Sequence, residues 1–160
     1  MLEIHVSGQD LAAISEGVLQ DGNTLRFLAK GHSMRPFIRN GDILMVEPMR
    51  GRPIRIADIL FCKYPEQGLL VHRVVGNSHR NGQQIIITQG DALLSKDYPI
   101  SSEQVLGRVV AVERGGRIIC IDTVFGRALA RLWVVLIPFR SSIFKAKASI
   151  KRFILSFHQA

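Results

Sequence analysis

Apolar positions near the start of the chain recur at helical spacing. In "GQDLAAISEGVLQDG", residues 8–22, Leu11, Ile14, Val18 and Leu19 follow a period near 3.6, and Gly22 can stop the helix. From Thr24 the period changes. Short apolar or alternating runs cover 24–30, 43–47, 58–64, 68–76, 83–89, 104–114 and 117–122, each bounded by turn residues. Such runs predict strands. Asn40-Gly41, Asn81-Gly82 and Gly115-Gly116 each divide two of them, as hairpin turns do, and "QVLGRVVAVERGGRIICID" is the clearest hairpin. One helix followed by these strands predicts a mainly β fold, a twisted sandwich or partly closed barrel.

Past Thr123 the pattern changes again. Helix formers, basic residues and bulky apolar residues mix, with a break at Pro138. From Ile143 to Phe157, Ile143, Phe144, Ala146, Ile150, Phe153, Ile154 and Phe157 recur at helical spacing with lysines between them, the pattern of a basic amphipathic helix. Two units are therefore expected: a β body over 1–123 and a helical tail over 124–160.

Charge sharpens that division. The formal net charge is +8, yet all 13 acidic residues lie between Glu3 and Asp122. The tail holds Arg127, Arg131, Arg140, Lys145, Lys147, Lys151 and Arg152 and no acid. A basic, apolar-striped segment suits an anionic membrane surface better than nucleic acid, because its aromatic residues follow a helical stripe rather than a stacking platform. The longest apolar run, "LWVVLIPF", is too short to span a bilayer, and residues 1–20 lack the basic start and long apolar stretch of a cleavable signal. The expectation is peripheral membrane association, with a cytoplasmic location as the alternative. Cys62 and Cys120 lie in apolar runs without metal-ligand spacing, and His5, His32, His72, His79 and His158 show none with them. No metal or other cofactor is expected.

Candidate chemistry lies in three stretches. "GHSMRP" carries Ser33 at a bend between runs, "GLLVHRVVG" carries His72 in the middle of an apolar run, and "ITQGDALLSKDYP" carries Asp91 and Asp97. Singly, each has a structural explanation: a turn serine, a packed histidine, and aspartates that shape or cap turns. Together they hold what a serine nucleophile needs. A hydroxyl is inert until a base takes its proton, an imidazole of pKa about 6.5 does so near neutral pH, and a carboxylate fixes the imidazole tautomer.

The order and spacing of "GHSMRPFIRNGDILMV", "ADILFCKYPEQGLLVHRVVG" and "ITQGDALLSKDYPISSEQVLGRVVAV" resemble the type I signal peptidases, in particular the histidine-type branch of archaea and the endoplasmic reticulum. The resemblance spans about residues 25–113. It implies a serine endopeptidase in which Ser33 is the nucleophile, His72 the general base, Asp97 the residue orienting it and Asp91 a second acidic residue nearby. Most bacterial relatives, and the LexA-like self-cleaving repressors, carry lysine where this chain has His72. The resemblance further implies a protein or peptide substrate bound extended, with leader or signal peptides as the expected class and Met34 lining the groove. Met34 is equally a plain core residue in sequence terms. Many relatives have a hydroxyl residue two positions before the nucleophile to help bind the oxyanion. Here that position is Gly31, leaving backbone N–H groups or His32 for the task.

Two other readings stay open. One is a weak or inactive relative that binds peptides, which Gly31 favours. The other is a LexA-like self-cleaving regulator. Against it stand the short segment before Thr24, the histidine base, and the lack of an Ala-Gly or Cys-Gly pair for self-cleavage.

Overall fold

A computed structural model describes residues 8–65 and 68–137. The chain runs through helix α1 (Gly8–Gln20), strands β1 (Leu25–Leu28), β2 (Ile43–Glu47), β3 (Ile59–Tyr64), β4 (Gly68–Arg80), β5 (Gln83–Gln89), β6 (Ile100–Ser101), β7 (Val105–Arg114) and β8 (Arg117–Cys120), then helix α2 (124–137). The fold is mainly β, as the pattern predicts, built as one antiparallel sheet that does not close into a barrel. The strand order is β1-β2-β7-β3-β4-β5-β6, with β8 pairing β7 off this path.

Strand β7 is the hinge of the sheet. Its first half pairs with β3 (Leu60 opposite Arg108), and its second half pairs with β2 (Leu44 opposite Val112) and with β8 (Val112 opposite Ile119). Register shifts at Met45/Val46, Phe61/Cys62 and Val74/Gly76 bend the ladders, since an extra residue locally increases strand twist. The bent sheet buries both faces of its centre. Along β3, Ile59 and Phe61 point into one core cluster with Leu19, Met34, Ile38, Leu44, Val46, Val109 and Val112. Leu60, Cys62 and Tyr64 point into a second with Ile54, Val74, Ile86 and Ile100. Period-two alternation thus reads as a continuous apolar run over Ile59–Cys62, because both faces of β3 are buried there and only Lys63 is exposed.

Two of the three glycine turns form tight hairpins. Asn81-Gly82 joins β4 to β5 with φ of 51° and 78°, and Gly115-Gly116 joins β7 to β8 with φ of 55° and 74°. Positive φ at both central residues matches the right-handed strand twist. Asn40-Gly41 instead ends a long excursion over residues 29–42, although β1 and β2 do pair. That excursion carries Ser33. The expected tail begins as α2, whose residues 124–137 are helical. It is tied to the body, since Ala130 is buried and the Trp133 ring meets Phe37 edge-on at 5.2 Å. The predicted amphipathic helix over 143–157 lies outside the described residues, as do His5 and His158. No described helix is long and apolar enough to cross a membrane.

Candidate active site

Strand β4 places His72 by simple alternation. Its side chain shares a face with Leu70 and Val74, which belong to the second core cluster, while Arg73 points to the opposite face. His72 is only 5% exposed. Its Nδ1 lies 2.6 Å from Asp97 Oδ2, and its Nε2 lies 3.2 Å from Ser33 Oγ. The three residues come from three separate segments, with Ser33 half-buried at the opening.

Asp97 is fixed from two sides. Its backbone N–H donates to the Thr88 carbonyl (2.9 Å), and the Thr88 hydroxyl donates to its Oδ2 (2.5 Å). Tyr64 Oη lies 2.7 Å from the same Thr88 Oγ1. A threonine has one hydroxyl proton, and Asp97 takes it, so Tyr64 is the donor in that contact. The chain of polarity therefore runs Tyr64 to Thr88 to Asp97. A carboxylate that already accepts from Thr88 still accepts from His72 Nδ1–H, which leaves Nε2 as the unprotonated nitrogen facing the serine. Burial pushes the Tyr64 hydroxyl up to about 12 and the neighbouring Cys62 thiol to about 12, with the Asp97 charge adding to both. Both stay neutral beside the carboxylate at neutral pH.

Asp91 does not join this cluster. It is 1% exposed and accepts two bonds from Arg73, Nε to Oδ1 and Nη2 to Oδ2, each 2.7 Å. Arg73 Nη1 also donates to the Ala57 carbonyl (3.0 Å), and the guanidinium lies 4.7 Å over the Phe37 ring. The pair anchors the 90–92 segment, whose Ala92 N–H donates to the Ser33 carbonyl (2.7 Å). Gly90 allows this close approach, because a Cβ there would sit 2.8 Å from the Ser33 carbonyl oxygen and 2.9 Å from Leu93 Cδ1. The other Gly-Asp pair plays a parallel role. Asp42 accepts Arg114 Nε (2.8 Å) and Nη2 (2.7 Å), while Arg114 Nη2 also donates to the Phe37 carbonyl (2.9 Å). The bonds from Arg114 hold the Asp42 carboxyl below the usual carboxylate range.

The remaining sequence candidates occupy different settings. Met34 is 4% exposed in the first core cluster, so its side chain fills the core under the serine. Gly31 has φ of 100°, and its N–H donates to Asn40 Oδ1 (3.0 Å), which shapes the turn leading to Ser33. His32 is exposed. Among the described residues no group of three or more metal-ligating side chains gathers. Sequence reasoning did not single out Thr88, Tyr64 or Arg114, whose importance comes from partners far away in the chain.

The arrangement pairs a hydroxyl with an imidazole and an imidazole with a buried carboxylate, which defines a candidate serine-nucleophile centre. No protein-family model and no curated protein matches the chain.

Proposed function

We propose that the protein is a serine endopeptidase that cleaves extended segments of other proteins, with leader or signal peptides as the substrate class. The observation that carries this reading is the unbroken line from Ser33 Oγ to His72 Nε2 (3.2 Å) and from His72 Nδ1 to Asp97 (2.6 Å). In the proposed reaction, Ser33 Oγ attacks the scissile carbonyl carbon as His72 Nε2 takes its proton. Asp97 stabilises the resulting imidazolium. The tetrahedral intermediate collapses as His72 gives that proton to the leaving amine, and Ser33 is acylated. Water then attacks the acyl carbonyl, again losing a proton to His72, and releases the acid product and free Ser33.

With Gly31 supplying no hydroxyl, the developing oxyanion falls to backbone N–H groups around Ser33. The missing side-chain donor favours a second, weaker reading, a slow or inactive relative that binds peptides, since one oxyanion donor contributes about 2.7–4 kcal/mol in the transition state. The similarity of the three sequence boxes to signal peptidases supports leader peptides as substrates, and Leu93, Leu94 and Tyr98, all exposed, offer an apolar surface beside Asp97. The proposal also includes an anionic membrane surface as a partner of the 124–160 segment, and peripheral attachment as the location. Incubating purified protein with leader peptides and reading the products by mass tests the activity. Discrete internal cuts that disappear in Ser33→Ala support an endopeptidase, whereas saturable peptide binding without cleavage supports the second reading.

A further inference from the structure

A recess of about 350 Å³ lies between α2, β8 and the segment that enters β3, and neither Ser33 nor His72 lines it. Its volume falls at the small end of the roughly 300–1,000 Å³ typical of ligand sites. The lining is apolar at Ile59, Ile119, Ile121, Phe125 and Leu129, but six arginines also reach it. Three of these are neutralised: Arg73 by Asp91, Arg114 by Asp42 and Arg127 by Asp122. Arg55 and Arg131 are exposed and have no ion-pair partner among the described residues.

Arg108 is the unusual member. It is 7% exposed, and its Nη2 donates to the Pro53 carbonyl (3.0 Å) and lies 3.4 Å from Asp58 Oδ2. Its buried Nε–H has no partner among the described residues. A buried charged donor without an acceptor is unfavourable, and native interiors rarely keep one without a reason. Asp58 is a shared partner, since its Oδ2 also accepts the Arg55 backbone N–H (2.8 Å) and meets Arg108 only through Nη2. Even with Asp42 and Asp91 counted, arginines outnumber carboxylates around the recess. An anion is therefore attracted, yet a small bare anion would leave the apolar walls wet.

We propose that this recess binds an amphiphilic anion, with a carboxylate or phosphate head at Arg108, Arg55 and Arg131 and a hydrocarbon chain against Ile119, Phe125 and Leu129. A free acyl carboxylate and an anionic lipid share this chemistry. The proposal is independent of the proteolytic reading. Trp133, the chain's single tryptophan, reports on the site, because its ring meets Phe37, which lines the recess.

The test titrates the full chain with dodecanoate and dodecyl phosphate below their micellar concentrations and follows Trp133 fluorescence. A saturable change is expected, with dodecanol and dodecyltrimethylammonium binding at least about tenfold more weakly. Arg108→Met should weaken dodecanoate binding by about tenfold or more. Should that variant fail to fold, the double variant Arg55→Gln/Arg131→Gln changes only exposed side chains, and it should weaken binding severalfold with an unchanged melting temperature. Competition by phosphatidylglycerol vesicles identifies a bilayer lipid as the source, and failure of the vesicles to compete identifies a free amphiphile; either outcome supports the site. No saturable change with either anion, equal affinity for dodecanol, or wild-type affinity in the folded variants would overturn it.

Discussion

Ser33, His72 and Asp97 could be singled out in the sequence only together, by the order and spacing of three stretches, since each alone reads equally as a turn serine, a packed histidine or a turn aspartate. What the sequence hides is why Asp97 and not Asp91 meets the histidine. Both aspartates lie in the segment after β5, and spacing alone does not say which one reaches the histidine. The difference lies in cross-strand neighbours: Arg73 captures Asp91 on one face of β4, while Thr88 and His72 capture Asp97 on the other. Two residue-scale outcomes follow. Asp97→Asn should lower turnover by roughly 10⁴ with a much smaller loss of stability, since an amide can hold the imidazole in the wrong tautomer. Thr88→Val should cost about 1–3 kcal/mol of stability, by leaving the Tyr64 hydroxyl without its acceptor, and only a modest fraction of turnover. Kinetics and urea unfolding on both variants check this, and a crippling Thr88→Val beside a mild Asp97→Asn would reverse the assignment of Asp97 as orienter.

At the scale of elements, alternation predicts most strands but not their lengths or the loop that carries the serine. β4 runs on to Arg80 through the polar "NSHR", because β5 pairs with it that far. β6 is only two residues long, too short for any periodicity to show, and exists through its pairing with Ile85 and Ile86. The excursion over 29–42 owes its shape to distant anchors, the Ala92 N–H and Arg114. Gly90→Ala should therefore displace the Ser33 carbonyl and reduce cleavage by at least about tenfold while retaining most helix and strand signal by circular dichroism; near-normal cleavage would show that the approach of the two segments is unimportant. Acid should act through Asp42. Its carboxyl titrates lower folded than unfolded, so its contribution to stability is present above the unfolded value, about 3.9, and is lost as pH falls through the lowered folded one. Urea midpoints measured from pH 7 down to pH 2 should fall less steeply at the acid end for Asp42→Asn than for the wild type, although the variant starts less stable at neutral pH.

At the scale of the whole molecule, α2, with which the basic end begins, is joined to the near-neutral body rather than merely strung on to it. Trp133 and Ala130 fasten α2 to the body, yet Val124, Phe125, Leu132 and Val135 are all more than half exposed. Exposed apolar residues on a helix leading into a segment with no acid suit an anionic bilayer, where each basic residue near the surface contributes on the order of 1 kcal/mol. Full-length protein should float with phosphatidylglycerol-containing vesicles and less so in high salt, and the paired substitutions Phe125→Ser/Val135→Ser should reduce flotation. Flotation indifferent to lipid charge would contradict this. Truncation after Thr123, which composition alone makes harmless, should lower the melting temperature, because it removes the Phe37–Trp133 contact.

The catalytic outcomes rest on Ser33 being a nucleophile activated by His72, and labelling by a fluorophosphonate probe measures that most directly. The wild-type chain should take up one equivalent, mapped to Ser33 by mass spectrometry. Ser33→Ala should take up none. His72→Ala should react slower by orders of magnitude while staying folded, and adding the second substitution to either variant should lower peptide cleavage no further, since residues acting as one unit are strongly non-additive. No label on Ser33 in the folded wild-type protein, or labelling that proceeds at the same rate without His72, would contradict the account.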